Sequence, residues 1–153
     1  MVPVGTMPFL HGGDGEGQVP TGPESTKTCQ DSPSGQLLLG IRQFNAAQWY
    51  ECHETLELLW IPATGDLRNL YQGIIQLAIA LHHWRNGNFS GAVSLLDGGV
   101  GYLRKLPQTC LWIDVAGLIR QAESVKEQLV SLGRSGMAEL DPGCIPKIVT
   151  VSV

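Results

Sequence analysis

The densest set of residues able to do chemistry lies in one stretch, Glu51-Cys52-His53-Glu54-Thr55-Leu56-Glu57, between Trp49 and Trp60. If that stretch is helical, His53 and Glu57 stand about 40° apart and share a face. An imidazole and a carboxylate at this spacing can hold two positions of a divalent metal. They can also work without metal, a buried carboxylate of raised pKa, Glu54 or Glu57, acting as acid or base beside His53. The H-E-x-x-E pattern resembles the zincin H-E-x-x-H, but Glu57 stands where the second histidine belongs, so a protease reading does not carry over. Cys52 and His53 diverge by about 100° on a helix, which makes them a poor thiol-imidazole nucleophile pair.

A second polar stripe follows in a nearly uncharged apolar stretch. On a helix, Gln72, Gln76 and His83 fall within about 40° of one another, while His82 points about 80–100° away, beside Tyr71 and Ile75. A buried charge or unpaired amide costs several kcal/mol unless a partner satisfies it. The two stripes are therefore expected to face each other, making neighbours of His53, Glu54, Glu57, Gln72, Gln76 and His83. Three readings of that cluster are open. It is a structural network or organic-ligand pocket, a divalent-metal site with His53, Glu57 and His83 as ligands, or a metal-free acid/base site. Tryptophans 49, 60, 84 and 112 are read as packing residues.

Helices must position these side chains, and the punctuation for them is present. Leu37 to Phe44 form a short apolar segment. Asn45 and Gln48 are spaced as a capping box, and Phe44 and Trp49 as a hydrophobic staple, for a helix that stops at Trp60 ahead of Pro62. Asp66 is placed to cap a second helix reaching Asn86 and closed by Gly87. Asn88 opens a third, ended by Pro107, and a fourth runs from about Trp112 to Leu132 with Gly133 as its stop. Gly91, Gly98, Gly99 and Gly101 weaken the third helix unless they serve close contact. Apart from Ile148 to Val153, no strand pattern appears. The expected fold is all-α: a compact bundle of about four to five antiparallel helices over residues 37–140, followed by a C-terminal tail, 141–153.

Residues 1–36 hold seven of the 19 glycines and five of the nine prolines. Such a segment cannot bury enough apolar area to offset its ordering cost and is expected to be disordered. With 10 basic against 14 acidic residues and a net charge of -4, the chain lacks the positive field that nucleic acid binding requires. No apolar run reaches the roughly 18 residues of a membrane span. The four cysteines lie far apart without a C-x-x-C pair and read as reduced thiols, which makes a cytoplasmic, reducing compartment the expectation. A plastid address stays open for a photosynthetic eukaryotic source. A small molecule, a divalent metal as cofactor and a self-dimer are the partners this pattern leaves in play.

The stretch Phe44-Asn45-Ala46-Ala47-Gln48-Trp49-Tyr50-Glu51-Cys52-His53-Glu54-Thr55-Leu56-Glu57, with Trp60 behind it, resembles the hallmark of the family called domain of unknown function 309. Tyr71-Gln72-Gly73-Ile74-Ile75-Gln76 and His82-His83-Trp84-Arg85-Asn86-Gly87-Asn88 resemble its second motif. The likeness covers roughly Leu37 to Leu132. It implies a small all-helical domain, places the six cluster residues on the family's characteristic polar positions, and brings no established activity with it. The long N-terminal segment and the glycine-rich third helix depart from the family pattern. Gly87-Asn88-Phe89 with Ala92 also resembles the start of a tetratricopeptide helix, yet the roughly 34-residue repeat is missing. A non-catalytic helical interaction module is the alternative to a ligand pocket.

Overall fold

The protein is described from a computed structural model over residues 27–151. Five helices carry the fold: α1 (Gly35–Asn45), α2 (Trp49–Trp60), α3 (Gly65–Arg85), α4 (Phe89–Leu103) and α5 (Val115–Gly136). Between α4 and α5 sits a two-residue hairpin, β1 (Thr109–Cys110) against β2 (Ile113–Asp114). The all-helical class read from the sequence is therefore what the chain adopts. The disorder expected of the N-terminal tail falls on residues 1–26, which lie outside the described residues, and on 27–36, where the expectation is corrected below.

The centre of the bundle is α3, because its sequence offers apolar or small residues on almost every side. Residues 70–81 are all buried, and the helix packs most extensively on α4 and next on α2. The α3–α4 contact is close because Gly73 and Gly99 face each other. A Cβ at Gly99 would lie 2.7 Å from Leu77 Cδ2 and 2.9 Å from the Gly73 carbonyl oxygen. Two arginines of α3 bracket α2. Arg68 stacks on Trp60 at 3.8 Å and donates to the Trp60 and Ala63 carbonyls at 3.3 and 3.1 Å, bracing the end of α2 and the loop after it. Arg85 lies 4.5 Å from the Trp49 ring and donates to the Ala47 carbonyl at 2.7 Å, ahead of the start of α2.

Several boundaries differ from those expected. Asn45 does not cap α2: it ends α1, Ala47 takes a positive φ of 61°, and α2 starts after Gln48 without a side-chain cap. The Asn45 amide instead grips the C-terminal segment, accepting from Ile148 N at 2.7 Å and donating to Ile148 O at 2.9 Å. Thr64, rather than Asp66, precedes α3, and Asp66 lies in its first turn. Asn88 caps α4 as read, its side chain accepting from Gly91 N at 2.9 Å. The helix ends at Leu103, short of Pro107. Asp114 caps α5, which starts at Val115, three residues past the expected Trp112. Gly133, at φ 75°, breaks α5 where a stop was expected, with one further turn beyond. Residues 148–151 form an isolated bridge, Ile113 to Thr150, rather than a strand.

The cysteines require a correction. Cys29 and Cys110 are joined by a disulfide across 81 residues, while Cys52 and Cys144 are free. Leu111 N donates to the Cys29 carbonyl at 2.7 Å, so the stretch before α1 is tied to the hairpin rather than left without structure. Sequence spacing missed this pair because only the turn of the chain at β1 brings position 110 beside position 29. Its presence removes the ground on which a reducing compartment was expected. No helix among the described residues is long and apolar enough to cross a membrane.

Candidate functional site

On α2, His53 and Glu57 share a face as their spacing requires, with Nε2 3.9 Å from Glu57 Oε1. His53 is buried at 5% exposure and Glu57 is half-buried, so the pair stands where the protein interior meets water. Burial pushes the His53 pKa below the usual imidazole range, against the opposing pull of Glu57 and of the Tyr50 backbone, and His82 lowers it further. At neutral pH this is a neutral imidazole beside a carboxylate, two groups that can accept a proton or a hydrogen bond.

Around the pair the rings form a continuous run. The Tyr50 ring is 5.3 Å from His53 and 5.6 Å from His82, and His82 is 6.3 Å from His83. The His82 pKa is lowered by burial and by Arg85, with Glu51 opposing; the His83 pKa is lowered by burial and then by His82. The His83 tautomer follows from its neighbour. Asn88 Oδ1 is committed to Gly91 N, so Nδ2 is the atom facing His83 Nδ1 at 3.2 Å. Nδ2 can only donate, so His83 Nδ1 accepts and the ring proton sits on Nε2.

The residues expected as one cluster have the following partners. Trp60 Nε1 donates to Gln72 Oε1 at 3.1 Å, a buried bond that ties the end of α2 to α3. Gln76 is buried with its Oε1 against Gly98 of α4, where a Cβ would collide with it. His83 is buried and engages Asn88, while Glu54 is exposed. Among the described residues no group of three or more His, Cys, Asp or Glu side chains is arranged to hold a metal ion. Of the expected ligand set His53, Glu57 and His83, the first two share a face of α2 and His83 is turned to Asn88 at the start of α4. Sequence reasoning also passed over Tyr50 and His82. Tyr50 precedes His53 by three residues, which on a helix places it on the same side, a signal available from the start. His82 was set aside for the face it shares with Tyr71 and Ile75, but the Tyr50 contact shows that α2 lies against that face. Cys52 is fully buried and its thiol is pushed up to about 12 by burial, which leaves it an inert packing residue.

Residues 37–95 match the family model described as Domain of unknown function (DUF309). The DUF309 match ends inside α4 and takes in α2, α3 and every residue of the ring cluster. The chain is similar to the uncharacterized protein YpuF of Bacillus subtilis (strain 168), 35% identical over 91 residues, covering 57% of this chain and 52% of that protein. It is also similar to an uncharacterized protein of Aquifex aeolicus (strain VF5), 25% identical over 83 residues, covering 54% of this chain and 25% of that one. The chain thus spans about half the length of the first relative and a quarter of the second.

Proposed function

We propose that this chain binds a small polar molecule at the His53–Glu57 pair, with Tyr50 and His82 beside it. The observation that carries this reading is the position of the pair: a buried neutral imidazole within 3.9 Å of a half-buried carboxylate at the protein's edge. Two adjacent acceptors favour a ligand that presents hydroxyl or amine hydrogens, and the neighbouring rings offer a flat surface for its apolar part. The same two groups could shuttle a proton on such a ligand, which is the acid/base form of the proposal.

A thermal-shift screen of polar metabolites against the wild type, His53→Gln and Glu57→Gln tests it. Compounds that stabilise the wild type and lose most of that effect in both variants support the site. Equal stabilisation of all three proteins overturns it. Elemental analysis of the purified protein decides the metal reading: near-stoichiometric zinc, manganese or iron lost in His53→Gln would assign the pair to a metal instead. The helical interaction module is the second reading, favoured by Leu58 on α2 and Ile61 just past its end, which stand 65% and 55% exposed. It predicts a self-dimer or bound protein lost in Leu58→Glu and retained in His53→Gln.

A further inference from the structure

Away from the ring cluster, α4 and α5 leave between them a cleft of about 690 Å³, a size typical of small-molecule sites. The glycines of α4 point to it. Gly98 and Gly99 are explained by packing, since a Cβ at either would strike Gln76 or Leu77. Gly101 is not: a Cβ there would meet no atom within 4 Å, yet glycine inside a helix is unfavourable relative to alanine. Gly101 lines the cleft, so its bare Cα widens the floor that Val100 and the exposed Val130 complete. Two ion pairs cross from α4 to α5, Lys126 to Asp97 on one side of Gly101 in sequence and Arg104 to Glu123 on the other. Both cations of the lining are thereby matched. The remaining lining carboxylate, Glu127, has no ion-pair partner among the described residues.

We propose that the α4–α5 cleft is a second binding site, one that takes a small apolar molecule carrying a cationic nitrogen. Val100, Gly101 and Val130 receive the apolar body, and Glu127 receives the nitrogen. The charge of the lining, three carboxylates against two cations, sets the preference for a cation over an anion.

The test uses the full chain and benzylamine as the probe, with benzoate as the charge-reversed control, followed by amide chemical shifts in NMR. Benzylamine is expected to move resonances of residues 97–104 and 123–131 saturably, with benzoate at least tenfold weaker. Glu127→Gln weakens benzylamine about tenfold. Gly101→Leu fills the floor and abolishes the shifts, while Gly101→Ala raises the melting temperature, as expected where glycine serves the cleft rather than the helix. The proposal is overturned if benzylamine leaves these residues unmoved, if benzoate binds equally well, or if Gly101→Leu binds like the wild type. Because none of the probed residues belongs to the His53–Glu57 site, failure here leaves that reading standing.

Discussion

At the scale of single residues, the histidines are the most informative. His53, His82 and His83 all carry a lowered pKa, with burial as the largest cause in each case. In the unfolded chain they titrate near pH 6.5. Below that pH the unfolded state takes up protons that the folded state resists, so stability is full above about pH 7 and declines as pH falls through 6.5 and below. Chemical denaturation across pH 5 to 8 should show that decline, and His83→Gln should flatten part of it. A slope unchanged in that variant would mean that His83 is not held neutral by its surroundings. The bond from Trp60 Nε1 to Gln72 Oε1 belongs to the same scale: it satisfies a buried donor and a buried acceptor where α2 meets α3.

At the scale of elements, the fit of α3 against α4 depends on the absence of side chains. Placing a methyl at Gly99 brings it against the Gly73 carbonyl, a backbone atom that cannot turn aside. Gly99→Ala should therefore lower stability by about 1–2 kcal/mol even after its gain in helix propensity, read from the denaturant midpoint. Gly101→Ala, two residues on, should do the opposite, and the contrast separates packing glycines from the one at the cleft. Asn45 is the equivalent device for the C-terminal segment. Its two bonds to the Ile148 backbone are lost in Asn45→Ala, which should cost about 1–3 kcal/mol and raise amide exchange over residues 145–151. Unchanged exchange there would show that the Gln121–Lys147 bonds and the bridge to Ile113 hold the segment without Asn45.

At the scale of the whole molecule, the Cys29–Cys110 bond closes a loop over 81 positions and so limits the unfolded chain more than any local contact does. Reduction, or Cys29→Ser, should lower stability by about 2–4 kcal/mol while the helical signal in circular dichroism persists. Thiol counting in denaturant should find two reactive cysteines before reduction and four after it. Four thiols in freshly purified protein would show that the bond is not formed where the protein is made.

The helices α3 and α4, the Asn88 cap and the shared face of His53 and Glu57 could all be read from the sequence, because each depends on residues within one or two turns of each other. Local spacing sets a helix face, and a cap acts on the next turn. The chain by itself could not say which way each helix would rotate against its neighbours. That rotation brought Tyr50 and His82 to His53, and turned His83 toward Asn88 and Gln76 toward Gly98. Asn45 with Ile148, and Cys29 with Cys110, meet only after the bundle closes. Contacts between distant positions depend on the summed packing of every helix, and no short pattern in the sequence records that sum.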